Sequence, residues 1–229
     1  MIVLVACFPK SGSTLFAGTI SKIPGFSQVS LVPFCGGREQ ELCEFEIKKH
    51  LADNVCAQHH VRAHEHTLIL IEKYNISVAV LVRNIFDVVV SLRDHHFKEG
   101  ISAEWASSIN RDTTDENIYA RIIDMYIPWY FEFYMSWQRS PFRNHVVRYE
   151  DFTASLDNFY EAVTMAVGSK TYPRRHFAHL LAEVQKGNTR KNVGEAGRGL
   201  KSLSDNHVDR ILSFTKYYPG VDFSAIGIT

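Results

Sequence analysis

Five consecutive residues near the N-terminus, Lys10, Ser11, Gly12, Ser13 and Thr14, combine a cation, three hydroxyls and a turn-forming glycine. An apolar run, Ile2 to Phe8, leads into them, and a helical-looking segment, Leu15 to Ser21, follows. Strand, tight polar turn and helix in that order aim backbone N–H groups at an anion held at the helix N-terminus. Lys10 adds a point charge, and Ser13 and Thr14 add hydroxyl donors. The chemistry implied is the grip of a phosphate-bearing ligand. The loop is not a Walker A loop, which places its lysine after a second glycine, whereas Lys10 precedes the only glycine of this turn.

Two further groups suit the same kind of ligand. The first is Arg83-Asn84-Ile85-Phe86-Asp87-Val88-Val89-Val90-Ser91, which starts where an apolar run, Ser77 to Val82, ends. Open α/β sheets bind ligands at the carboxyl ends of their strands, where Arg83 would stand. A purely structural pairing of Arg83 with Asp87 is the plain alternative. The second is a basic stretch carrying Arg190, Lys191, Arg198 and Lys201, punctuated by Gly194, Gly197 and Gly199. Glycines between cations let a backbone wrap an anion.

Histidine is the side chain whose ordinary pKa suits proton transfer near neutral pH. Of eleven histidines, His59, His60, His64 and His66 crowd into eight positions. His59 and His60 read as structural histidines. His64 and His66 would share one face if a strand ran through them, a geometry that also suits a metal ion. No cysteine or carboxylate pattern accompanies the pair, so no metal is expected.

The elements that must position these groups alternate. Strands are expected at Ile2–Phe8, Asn54–Val61, Ser77–Val82 and His145–Tyr149. The run at Ser77–Val82 is nearly all apolar, as in a parallel strand covered on both faces. Helices are expected at Glu39–Leu51, Asp87–Phe97 and Ile118–Gln138, the last carrying Pro128 as a kink. Others follow from the spacing of Leu156, Phe159, Tyr160, Val163 and Val167, and of Phe177, Leu180, Leu181 and Val184, with a last helix after Ser204. The segments 100–115 and 187–201 lack periodicity and read as functional loops. This pattern gives an α/β fold, three layers with a central parallel β-sheet flanked by helices.

The chain's 229 residues suit one domain over 1–229, and a 45% hydrophobic fraction is ample for its core. A net charge of zero argues against a nucleic-acid binder. No apolar run is long enough for a signal-peptide core or a membrane span. Cys7, Cys35, Cys43 and Cys56 form no C-x-x-C pair, which fits a reduced, cytoplasmic setting.

The sequence Pro9-Lys10-Ser11-Gly12-Ser13-Thr14 resembles the 5′-phosphosulfate loop of sulfotransferases that use 3′-phosphoadenosine 5′-phosphosulfate (PAPS). The Arg83–Ser91 string resembles their R-N-x-x-D-x-x-x-S segment, which binds the 3′-phosphate. Arg190-Lys191-Asn192 resembles their R-K-G loop, with Asn192 replacing a glycine, and the D-W-K that follows in the family is absent. Tyr149-Glu150-Asp151 is similar to the family's Y-E-D, whose tyrosine lies near the adenine. The resemblance implies a P-loop NTPase-like sulfotransferase fold and no metal. It also implies sulfuryl transfer from PAPS to a hydroxyl or amine acceptor, leaving adenosine 3′,5′-bisphosphate (PAP).

By that resemblance Lys10, Ser11, Gly12, Ser13 and Thr14 hold the 5′ side, and Lys10 neutralises the leaving group. Arg83, Ser91, Arg190, Lys191 and Arg198 hold the 3′-phosphate, and Tyr149 lies by the base. The segment Arg62-Ala63-His64 takes the place of the cytosolic branch's K-T-H, which makes His64 the expected general base, with His66 and Glu65 as rivals. Phenol, steroid-like alcohol, sugar and peptide all stay open as acceptors. The alternatives from other classes are a P-loop-type kinase and a non-catalytic nucleotide-binding protein on the same fold.

Overall fold

The computed structural model describes residues 1–33, 39–99, 113–168, 172–187 and 196–229. Its centre is a five-stranded parallel sheet of strands β1 (Ile2–Cys7), β2 (Phe26–Gln28), β3 (Asn54–His59), β4 (Ser77–Val82) and β5 (Val146–Arg148). Their spatial order is β2-β3-β1-β4-β5. Every residue of β1 is buried because alternate side chains enter two separate cores. Ile2, Leu4, Ala6 and Phe8 face one core, and Val3, Val5 and Cys7 face the other.

Helices cover both faces. On the side of Val3 and Val5 lie α1 (Ser13–Ser21), α6 (Tyr149–Phe152), α7 (Leu156–Val167) and α8 (Arg174–Lys186), packed through Phe16, Phe152, Phe159 and Phe177. On the other side lie α2 (Glu44–Lys48), α3 (Glu65–Lys73), α4 (Ile85–Glu99), α5 (Asp115–Gln138) and α10 (Asp205–Ser213). A short α9 (Gly199–Ser202) packs on α4. No helix among the described residues is long and apolar enough to cross a membrane.

The chain leaves β1, returns beside it on one side as β3, and then crosses to its other side as β4. This is the switch point at which open α/β sheets form a crevice beyond the strand ends. The turn after β1, the residue after β3 and the residue after β4 are therefore brought to one edge.

The structure redraws two expected elements and adds one. The strand expected over Asn54–Val61 ends at His59. The helix expected over Glu39–Leu51 is reduced to Glu44–Lys48. Residues 39–43 are held away from helical form by long-range bonds: Cys43 N–H donates to the Leu31 carbonyl at 2.8 Å, and Gln40 Oε1 accepts from His60 N–H at 2.7 Å. β2 was not expected; it is a three-residue edge strand, too short to show a period. Pro128 lies within α5, which runs unbroken for 24 residues. The loop expectation over 100–115 lies outside the described residues up to 112, as does 188–195 of the second loop; α5 begins at Asp115.

Candidate functional site

A cavity of about 610 Å³ opens at the switch point. Lys10, Gly12, Ser13 and Thr14 from the turn after β1 form one wall. Gln58 and His60 come from the end of β3, and Arg83 from the end of β4. Ser91, Leu92 and His95 present one face of α4, and Arg198 enters from just before α9. Tyr149, Phe152, Leu156, Phe159 and Leu181 make an apolar side, with Thr153, Ser155 and Gln185 as its polar groups. Three cations and two imidazoles line the cavity among the described residues, and no carboxylate does. An anion entering it meets only favourable charge.

The turn is built for close approach. Lys10 and Gly12 both take left-handed backbone angles, at φ 71 and 79. That conformation is uncommon for a lysine and places strain in the loop. Gly12 is also the N-cap of α1, and a Cβ there would sit 2.6 Å from Tyr149 Cδ2 and 2.9 Å from Phe152 Cζ. Glycine has no cap side chain to offer, so the first amides of α1, on residues that line the cavity, take no partner from within the helix. The Ser11 hydroxyl is fully buried and donates to the Phe8 carbonyl at 2.8 Å. It braces the turn and is not among the lining residues. Ser13 Oγ accepts from Gln58 Nε2 at 2.9 Å, which ties the turn to β3.

Arg83 is 7% exposed. Its Nη1 donates to the Lys10 carbonyl at 3.3 Å, and its guanidinium lies 4.3 Å from the Tyr149 ring centroid. Tyr149 is thus wedged between the turn glycine and the arginine. Burial raises its phenol above the ordinary value and the Arg83 charge opposes that rise. Asn84 caps α4: its Oδ1 accepts from Phe86 N–H at 3.0 Å and Asp87 N–H at 3.3 Å. Arg83 Nη2 lies 3.7 Å from Asp87 Oδ2. The shorter contacts of Asp87, at 2.7 Å, are to the backbone N–H groups of Gly197 and Gly199. Arg198 Nη2 donates to Asp94 Oδ2 at 2.8 Å. Arg190 and Lys191 lie outside the described residues.

The histidines fall out differently from expectation. The strand ends at His59, so His64 and His66 do not share a strand face. His64 is the N-cap of α3, with Nε2 3.3 Å from Glu41 Oε1. His66 Nε2 lies 3.3 Å from the Leu42 carbonyl, and Glu65 is the exposed first residue of α3. Arg62 Nε donates to Glu39 Oε1 at 2.8 Å. None of these four lines the cavity. Folding also brings carboxylates to His64: ligand atoms of Glu39, Glu41 and His64 lie within 4.8 Å of one another. The Glu39 carboxylate is already engaged by Arg62 and by Trp129 Nε1, the latter at 2.6 Å.

His60 does line the cavity. Its Nδ1 lies 2.8 Å from the Cys7 carbonyl oxygen. A carbonyl oxygen only accepts, so in the neutral ring Nδ1 carries the hydrogen and Nε2 the lone pair. The neighbouring Cys7 thiol is pushed up to about 12 by burial and stays protonated. The sequence reads His60 as structural, which its place in the cavity lining corrects, and it singles out neither His95 nor Gln58. The one signal in the chain for His95 is its position a helical turn beyond Ser91.

No family model matches the chain, and no curated protein matches it. Among solved structures, the mouse sulfotransferase SULT7A1 complexed with PAP matches with a TM-score of 0.69. The match covers 98% of this chain and 85% of that one, at 16% identity. The fold is that of a sulfotransferase. At that identity the likeness is one of architecture, and it agrees with the central parallel sheet and the crevice at its switch point.

Proposed function

We propose that this chain transfers the sulfuryl group of PAPS to a hydroxyl or amine acceptor. The observation that carries the reading is the cavity itself. It is lined by Lys10, Arg83 and Arg198 with no carboxylate among the described residues, and an apolar side of Tyr149, Phe152 and Phe159 adjoins this charge. A bisphosphorylated nucleoside needs that pairing of a cationic with an aromatic wall. The PAP-bound sulfotransferase of the same fold supports the choice of nucleotide.

In this reading the amides of Ser13 and Thr14, with Lys10, hold the 5′ side. Arg83, Ser91 and Arg198 hold the 3′-phosphate, joined by Arg190 and Lys191 from the adjoining segment. The left-handed turn at Gly12 is the cradle for the 5′ side, and a Cβ would fill its back. Phe152, Phe159 and Leu181 pack the base, and Gln185 with Thr153 offers its edge hydrogen bonds. His60 takes the role first given to His64: its Nε2 accepts the acceptor's proton as the acceptor oxygen or nitrogen bonds to sulfur. The bond from sulfur to the 5′-phosphate oxygen breaks, and Lys10 neutralises the charge that develops there. The chain acts as one domain over 1–229, with the acceptor entering from the His60 side.

Calorimetric titration with PAP, AMP and ATP–Mg²⁺ tests this reading. Each charge-assisted bond to the 3′-phosphate contributes about 1.5–3 kcal/mol. PAP is expected to bind at least tenfold more tightly than AMP, with no gain from Mg²⁺. Equal affinity for PAP and AMP overturns the assignment, and tight ATP–Mg²⁺ binding favours a kinase.

A further inference from the structure

Asp87 belongs to the second motif yet does not line the cavity. It is 2% exposed, and it spends both carboxylate oxygens on the far end of the chain. Oδ2 accepts from Gly197 N–H and Oδ1 from Gly199 N–H, both at 2.7 Å. Charge-assisted bonds of this length are strong and directional. The contact is also sterically exact in its demand on Gly199. A Cβ there would lie 2.3 Å from the Phe86 carbonyl carbon and 2.6 Å from Asp87 N.

Between the two amides stands Arg198, which among the described residues beyond α8 is the one that lines the cavity. Its guanidinium is braced by Asp94, two turns further along α4. Gly197 takes a left-handed angle, φ 79, and the turn presents the N–H groups of Gly197 and Gly199 to one carboxylate. Helix α4 thus grips this segment by its backbone at Asp87 and by its side chain at Asp94. Arg83, which starts the motif, reaches the same carboxylate at 3.7 Å.

We infer that Asp87 is a positioning residue for recognition of the nucleotide's second phosphate. It fixes the 197–199 turn against α4, and so sets where Arg198 meets the ligand. The inference rests on the sulfotransferase reading above, and it adds a residue that touches neither nucleotide nor acceptor. A contact with only a structural role would change stability and leave ligand discrimination alone. Asp87 instead links the two halves of one phosphate site, so its loss acts on discrimination.

Titration of PAP and AMP against the parent chain, Asp87→Asn and Gly199→Ala tests this. Asp87→Asn sets an NH₂ group against a backbone N–H, while Gly199→Ala keeps the carboxylate and displaces the turn. In each variant PAP affinity is expected to fall at least tenfold and AMP affinity to change less than twofold. Variants that keep the parent's PAP-to-AMP ratio, or lose both ligands equally, overturn the inference while leaving the parent's preference for PAP intact. Should Asp87→Asn fail to fold, Gly199→Ala decides alone. Failure of both to fold makes the contact a support of the whole fold and overturns the inference as well. A parent with no preference for PAP overturns the sulfotransferase reading itself.

Discussion

The His60 ring is held to the Cys7 backbone: Nδ1 stands 2.8 Å from the Cys7 carbonyl oxygen. β1 and β3 pair with Ala6 opposite His59, which sets His60 beside Cys7 at the sheet edge. The bond leaves Nε2 as the basic atom of a residue lining the cavity. His60→Ala is expected to lower sulfuryl transfer by about 10²–10⁴, the range for a lost general base, with PAP binding retained. His64→Ala is expected to lose far less. Turnover with labelled PAPS over a panel of phenols and alcohols checks both, and an active His60→Ala enzyme removes His60 from the mechanism.

Lys10 is expected to act on the chemical step more than on binding. Lys10→Ala loses one charge-stabilising donor, which costs on the order of 10²–10³ in rate. PAP affinity should fall much less, because Arg83, Ser91 and Arg198 remain. Comparing kcat with the dissociation constant for PAP separates the two effects. Near-normal turnover would show that the loop is only a structural turn.

Gly12→Ala tests the turn as architecture. The new methyl meets Tyr149 at 2.6 Å and must sit at a φ of 79. Overpacking of this kind costs about 1–3 kcal/mol. Denaturant melts should show that loss, together with weaker PAP binding as the Tyr149 ring is driven from the turn. Unchanged stability would mean that the ring yields freely.

His59 gives the fold an acid limit. Burial, with the neighbouring His60 a smaller cause, lowers its pKa from 6.5 to about 4. The ring is 3% exposed, and its Nε2 accepts from Leu31 N–H at 2.8 Å, which requires the neutral form. Between these two values the unfolded chain binds more protons than the folded one, so stability falls as pH drops from about 6.5 towards 4. This group adds no further loss below that. The full difference amounts to about 3 kcal/mol. Chemical denaturation at several pH values between 4 and 7 measures the slope, and His59→Gln should flatten it.

Local features could be read directly from the chain. β1 and β4 were legible because strands buried on both faces are continuous apolar runs. The turn from Lys10 to Thr14 was legible because its chemistry is written in adjacent residues, and Arg83 because it directly follows a strand. Features that depend on distant pairing emerged only on folding. Four histidines within eight positions carry no local mark of which one faces the ligand, and one residue of strand length turns a side chain to the opposite face. The register of β3 on β1 ended the strand at His59 and brought His60 to the Cys7 carbonyl. It left His64 to cap α3 beside Glu41. The role of Asp87 was equally hidden, because its partners Gly197 and Gly199 lie more than a hundred residues away in the chain. Sequence spacing reports neighbours along the chain, whereas a carboxylate buried in a fold answers to whichever N–H groups packing brings to it.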